Sequence, residues 1–283
     1  MMNVLSLFDG MSCGRIALDR AGVSVGTYYA SEIDKHAIAV SEHNYPEIVR
    51  LGSVEDWKDW DIDWHSIDLL IGGSPCQGFS FAGKQLAFDD PRSKLFFVYV
   101  DILNHIKAVN PDVNFMLENV KMKRESLSVI SEMLGVEPVR INTNEILPIN
   151  RDRYYWVNWN ISPIKKSAKK VEDLPGIGDF RPSTVKRSKE SNRVVFTNIF
   201  GALTTYCGNP NGVGRPSLSV SEFDFGSIFP KDGRCKPLTP EQCEWLQSVP
   251  AGYSSIVSDY QRYRMLGNGW TVDVIAHIFR CMA

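Results

Sequence analysis

The sequence predicts an α/β fold: a mostly parallel, doubly wound sheet with helices on both faces, then a small mixed lobe, then a return to the sheet domain. Three observations carry this. Short apolar runs alternate with stretches at helical spacing over residues 1–159, the rhythm breaks into basic, turn-rich sequence at 160–236, and helical periodicity resumes at 237–283. The domains are therefore expected at 1–159, 160–236 and 237–283.

Taken in order, "NVLSLF" (3–8) reads as a first strand, "DGMSCG" (9–14) as a glycine-bearing turn, and "RIALDRAG" (15–22) as a helix. "VGTYYASE" (25–32) is a second strand ending in an acid, and "DKHAIAVSEHN" (34–44) a second helix. "DLLIGG" (68–73) is a buried strand, "RSKLFFVYVDILNHIKAV" (92–109) a long amphipathic helix and "VNFMLENV" (113–120) a strand. A helix around "ESLSVISEMLG" (125–135) and strands "VRINTNEI" (139–146) and "RYYWVNW" (153–159) complete the first part. The stretch 162–193 is rich in Lys, Pro, Gly and Ser, and "YCGNPNGVGRPS" (206–217) is a dense turn signal. In "LTPEQCEWLQSVP" (238–250) Thr239 is placed to cap a helix that has Pro240 at its first position, and "WTVDVIAHIFRCM" (270–282) is a helix with one apolar face.

The length of 283 residues is enough to bury one large core, or a core plus a lobe, without staples. Neither a leader pattern nor an apolar run of membrane-spanning length is present, so a cytoplasmic protein without membrane contact is expected. The six cysteines are scattered without a C-x-x-C pair, which predicts separate thiols and no metal. A net charge of −2 conceals a segregation: residues 1–150 carry 13 Lys/Arg against 21 Asp/Glu, whereas residues 151–215 carry 12 against 5. Such a basic stripe suits a phosphate backbone; a solvated basic surface explains it equally well.

The polar residues with chemical potential fall at predicted strand ends. The turn at Gly10 and Gly14 lets backbone approach a ligand but lacks the full spacing of a dinucleotide site. Glu32 ends the second strand, where a carboxylate can accept from ribose hydroxyls. Cys76, in "GGSPCQGFS" (72–80), follows a buried strand; an unperturbed thiol has a pKa of about 8.5, so it needs help to act as a nucleophile, and a lone strand-end cysteine is more often structural. Glu118 and Asn119 end another strand, and Arg151 and Arg153 lie two apart at the start of an extended run. An open α/β sheet places its ligands along that edge.

Together, "SLFDGMSCG", "SEID", "GGSPCQGFS", "RSKLFF", "LENV", "RDRYYW", "LTPEQCEWLQSVP" and "MLGNGWTVDVI" resemble, in order and spacing, the signature blocks of the DNA cytosine-5 methyltransferase family. The resemblance is to the bacterial and phage type, with some similarity in the opening blocks to the animal de novo branch, and covers all but about residues 160–236. It implies a Rossmann-like S-adenosylmethionine-dependent methyltransferase fold, in which residues 160–236 form the target-recognition lobe. It also implies that Cys76 adds to C6 of a cytosine flipped out of double-stranded DNA, that Glu118 is the acid at N3 and Arg153 the cation at O2, and that Arg151 and Asn119 belong to the same catalytic set. The activated C5 then takes methyl from S-adenosylmethionine, leaving S-adenosylhomocysteine, with no metal.

The same resemblance puts the cofactor against Phe8, Asp9, Gly10, Met11 and Cys13, with Glu32 on the ribose and Ile33 and Val54 on adenine. Pro75 and Leu95 line the methionine side, Gly73 belongs to the same cofactor site, and Asn268, Gly269 and Trp270 return to the pocket. Ser80, Lys84 and Arg92, in the loop after Cys76, and Thr204, Thr205, Tyr206, Asn209 and Arg215, in the lobe, are its implied DNA contacts. Two positions depart from the family pattern. Ser53 stands where an acid usually accepts from the adenine amino group, and Tyr206 stands where the de novo branch has a guanine-reading arginine.

A monomer is expected, as an orphan, phage or restriction-modification methyltransferase, and the sequence carries no signal for or against a companion endonuclease. Two other readings are an RNA methyltransferase of the same fold and a catalytically silent DNA-binding relative.

Overall fold

The computed structural model describes residues 1–74, 94–166, 169–178, 181–187, 192–196, 199–200, 203, 217–219, 223–225 and 235–282. Cys76, Pro75, Ser80, Lys84, Arg92, Thr204, Thr205, Tyr206, Asn209 and Arg215 lie outside the described residues. The chain divides into two compact units, one of Met1–Ile141, Asp152–Pro163 and Ile275–Ala283, the other of Asn142–Arg151 and Ile164–Val274.

The first unit is built on a seven-stranded sheet of β1 (Met2–Leu7), β2 (Val25–Ser31), β3 (Val49–Gly52), β4 (Leu69–Gly72), β5 (Asn114–Val120), β6 (Val139–Asn142) and β7 (Asp152–Val157), in the order β3-β2-β1-β4-β5-β7-β6. The pairs β1–β2, β1–β4, β2–β3 and β4–β5 are parallel, and β5–β7 is antiparallel. Helices α1 (Cys13–Ala21), α2 (Lys35–Asn44), α3 (Lys94–Val109) and α4 (Arg124–Leu134) provide the crossovers. Winding runs outward from β1 through β2 to β3, then from β4 to β5 on the other side. The strand order therefore reverses between β1 and β4, where doubly wound sheets open a ligand crevice.

The reason β4 reads as an unbroken apolar run is its central position: all four of its residues are buried between β1 and β5. Leu5, Leu7, Leu70, Phe115 and Leu117 pack against Phe96, Tyr99, Ile102, Leu103 and Ile106 of α3. Gly72 suits this packing: a Cβ there would lie 3.1 Å from the Tyr99 ring and 3.2 Å from the Leu7 carbonyl oxygen, so a neighbour would have to give by a few tenths of an ångström. Trp156 is fully buried, and its Nε1 donates to Ser131 Oγ at 3.0 Å.

The second unit contains a five-stranded antiparallel sheet of β8 (Arg181–Arg187), β9 (Asn192–Phe196), β10 (Ser217–Ser219), β11 (Phe223–Phe225) and β12 (Cys235–Pro237), in the order β11-β9-β8-β10-β12. Helix α5 (Pro240–Leu246) starts as its sequence predicts: Thr239 Oγ1 accepts from Gln242 N at 3.3 Å, and Gln242 Oε1 accepts from Thr239 N at 3.0 Å.

Helix α6 (Asp259–Asn268) carries no clear periodic signal, because it buries only Met265 and Leu266 as apolar residues, next to the ionic Arg262. Arg262, 5% exposed, pairs with Glu241 at 2.7 Å and with Glu244 at 3.2 Å. Fully buried Glu244 also accepts from Gly252 N, Ser254 N and Ser254 Oγ. The expected strand at 139–146 is shorter than its apolar pattern. It stops at Asn142, whose side chain accepts from Asn144 N and caps a 3-10 turn over Thr143–Glu145. The closing helix, α7, runs Val272–Arg280. Among the described residues no helix is long and apolar enough to cross a membrane.

Candidate active site

Strand register alone brings most of the polar strand-end residues of the first unit to one edge. Leu7 pairs with Ser31 and with Gly72, Gly72 with Leu117, and Leu117 with Trp156. The residues one or two positions beyond that line are Phe8 and Asp9, Glu32, Gly73 and Ser74, and Glu118 and Asn119. Cys76 is two residues past Ser74 in the chain.

Glu118 and Arg153 meet across the antiparallel pair. Glu118 lies opposite Tyr155, so Arg153, two residues along β7, shares its face of the sheet. Arg153 Nε and Glu118 Oε1 are 2.9 Å apart, with side chains only 16% and 10% exposed, and Arg153 Nη1 donates to the Asp152 carbonyl at 2.9 Å. Two functional groups suited to opposite ends of a developing charge are thus held side by side. Asn119 is 1% exposed, and its Nδ2 donates to Ser74 Oγ at 3.3 Å. Its Oδ1 accepts from Val120 N, which fixes the amide's orientation. The asparagine therefore ties the end of β5 to the segment that leads into Cys76.

At the β1 turn, Phe8, Gly10 and Ser12 have φ of 58°, 60° and 63°. Among the described residues, the chain neighbours aside, no atom lies within 4 Å of where a Gly10 Cβ would sit, so backbone is open to approach there. Glu32 faces this turn: Oε2 accepts from Gly10 N at 2.7 Å, and Oε1 accepts from Ile33 N and Asp34 N, both at 2.8 Å. Ile33 is 77% exposed, a large apolar side chain left bare beside the carboxylate. Met11 and Cys13 are buried, whereas Phe8 and Leu95 pack at the margin of the core with Val54 inside it. Ser53 caps the 3-10 turn Val54–Asp59, its Oγ accepting from Glu55 N at 3.2 Å.

Asp9 points inward rather than toward the opening. Tyr28 OH donates to its Oδ1 at 2.7 Å and Ser12 Oγ to its Oδ2 at 2.5 Å, and Ser12 Oγ also contacts Ser41 Oγ. Burial pushes its carboxyl above the usual range, against the opposing pull of the hydroxyls and of the Arg50 charge. Tyr28 and Ser41 carry no sequence signal as site residues: each sits mid-element in an ordinary pattern, and only the fold brings them to Asp9.

Arg151 and the block Asn268–Trp270 belong to the second unit. Arg151 is 4% exposed, and its guanidinium donates to the carbonyls of Gly267 (3.1 Å), Asn268 (3.4 Å) and Gly269 (2.7 Å). These carbonyls close the C-terminal end of α6, where unpaired acceptors and the helix dipole both favour a cation. Such contacts fix the backbone of 267–269, a positioning role. We expect Arg151→Ala to cost about 2 kcal/mol in urea unfolding, as hydrogen bonds to a charged group do, with Arg151→Lys recovering part of it. An unchanged unfolding midpoint in the alanine variant would remove this role.

Comparisons with known proteins identify the family. The model of the C-5 cytosine-specific DNA methylase family matches residues 2–134 and 140–283. The chain is 28% identical over 311 residues to the type II methyltransferase M.NlaX of Neisseria lactamica, covering 98% of this chain and 95% of that protein. It is 34% identical over 204 residues to the orphan methyltransferase M.Rho11sI of Bacillus phage rho11s, covering 68% of this chain and 39% of that one. Its fold is similar to that of the Entamoeba histolytica methyltransferase EhMeth, with a TM-score of 0.72 at 16% identity over 100% of this chain and 98% of that one. The chain belongs to the C-5 cytosine-specific DNA methylase family.

Proposed function

We propose that the protein transfers the methyl group of S-adenosylmethionine to C5 of a cytosine flipped out of double-stranded DNA, with Cys76 as the nucleophile. The observation that carries this reading is the Glu118–Arg153 pair at the sheet edge, in register with the strand that leads to Cys76. Thiolate addition at C6 sends negative charge toward N3 and O2. Glu118 supplies the proton at N3 and Arg153 the charge-assisted hydrogen bond at O2. Once C5 has taken the methyl group, its proton passes to water, Cys76 leaves C6 as thiolate and the N3 proton returns to Glu118, which restores the ring. Flipping costs a few kcal/mol, offset by contacts to DNA. We assign those contacts to residues 160–236, including Thr204, Thr205, Tyr206, Asn209 and Arg215, and to Ser80, Lys84 and Arg92.

The residues of the first unit fit the cofactor. S-adenosylmethionine supplies an electrophilic methyl group. The open backbone at Gly10 admits a close approach, and bare Ile33 offers an apolar surface for adenine. Glu32 Oε2 uses one of its lone pairs on Gly10 N and keeps another for a ribose hydroxyl. Among the described residues no group of His, Cys, Asp and Glu is arranged to hold a metal.

Ser53 tests the adenine end. Aspartate caps a helical turn as well as serine does and adds a second acceptor, so Ser53→Asp should tighten S-adenosylhomocysteine about threefold to tenfold without lowering the unfolding midpoint. Unchanged or weaker binding would place Ser53 away from the adenine. The activity itself is tested by incubating the protein with methyl-labelled S-adenosylmethionine and either duplex DNA or total RNA. Label in DNA is expected; label in RNA alone would overturn the reading.

A further inference from the structure

We propose that Asp9 is a positioning residue whose buried carboxyl braces the Phe8–Ser12 turn from beneath, in the backbone shape that receives the cofactor; this rests on the cofactor reading above. Phe8 and Ser12 both lie in the left-handed region that L side chains rarely adopt, so something must hold them there. Glu32 grips the turn at Gly10 N from one side. From the other, the Asp9 carboxyl joins Ser12 within the turn to Tyr28 of β2, and Ser12 passes the linkage on to Ser41 of α2. The backbone completes the arrangement, with Asp9 N donating to Ser31 O and Ser12 N to Asp9 O, both at 3.1 Å. A side chain only 9% exposed and committed to two internal hydroxyls acts on a ligand through the turn's shape.

The groups packed around the carboxyl are Ser6 of β1, Tyr28 of β2, Arg50 of β3, Ser12 of the turn and Ser41 of α2. Among the described residues Arg50 is the single cation there, and its buried Nε and Nη1 have no hydrogen-bond partner among them. With its titration raised by burial, Asp9 contributes stability in acid that is lost as pH rises through the raised value, a dependence that asparagine lacks.

The test uses the full chain as wild type, Asp9→Ala, Asp9→Asn and Tyr28→Phe, with two readouts: amide hydrogen exchange of residues 8–14 without ligand, and calorimetric affinity for S-adenosylhomocysteine. Asp9→Ala and Tyr28→Phe should each raise exchange at 8–14 and weaken binding by about tenfold, as loss of a buried hydrogen bond predicts, while exchange in α3 and β5 stays as in wild type. Asp9→Asn keeps an acceptor for Tyr28, so it should stay within about threefold in affinity and flatten the pH dependence of unfolding. Wild-type exchange and affinity in Asp9→Ala, or in Tyr28→Phe if the alanine variant does not fold, would overturn the brace. If wild type fails to bind S-adenosylhomocysteine, the cofactor reading falls, and the ligand-free exchange still decides whether Asp9 braces the turn.

Discussion

Cys76→Ser should abolish methyl transfer, by on the order of a thousandfold or more, while duplex DNA and S-adenosylhomocysteine still bind. A serine hydroxyl is far less acidic than a thiol and a poorer nucleophile, so addition at C6 stops although the shape of the site is kept. A duplex carrying 5-fluorocytosine at the target separates this role from a structural one. Fluorine at C5 cannot leave as a proton does, so the wild-type protein should remain attached to the DNA through denaturation and the serine variant should not. Turnover by the serine variant would remove Cys76 as the nucleophile.

Glu118→Gln is the second large effect, with an expected loss of about a hundredfold to ten-thousandfold in kcat, the range associated with a positioned acid. Glutamine fills the same volume and can still donate a hydrogen bond to N3, but it has no proton to give up as charge develops. It also leaves Arg153, 2.9 Å from the carboxylate in the native protein and only 16% exposed, facing a neutral amide. The KM for S-adenosylmethionine should change little, because the Gly10–Glu32 turn is untouched. A raised KM with kcat preserved would make Glu118 a cofactor residue instead.

Much of this arrangement was legible in the chain. The central strand shows itself in "DLLIGG" because a strand covered on both faces must be apolar throughout, and Thr239-Pro240 announces α5 because the cap and the first-turn proline are local requirements. The register that sets Glu32, Gly73, Glu118 and the β1 turn along one edge follows once those strands are parallel neighbours. What escaped was built from polar burial. Helix α6 hides its role because it buries only two apolar residues, Met265 and Leu266, beside Arg262, which pairs with Glu241 and Glu244. Arg151 and Arg153, two apart at the start of an extended run, look equivalent in sequence. Yet one guanidinium holds three carbonyls at the end of α6 while the other pairs with Glu118. Alternation does not separate them, because Arg151 precedes β7 and answers to the loop rather than to the strand. The family resemblance puts Asp9 against the cofactor, but the sequence does not show that its carboxyl accepts from Ser12 and from Tyr28, because Tyr28 is 19 residues away.

The proposed reaction ends at one atom, C5 of cytosine in DNA. Bisulfite sequencing of unmethylated duplex DNA, after incubation with the purified protein and S-adenosylmethionine, reads that atom directly. Protection from conversion at cytosines within a recurring sequence, absent when the cofactor is withheld or Cys76 is replaced by serine, is the predicted result. Complete conversion at every cytosine, with the protein folded and binding S-adenosylhomocysteine, would contradict the account.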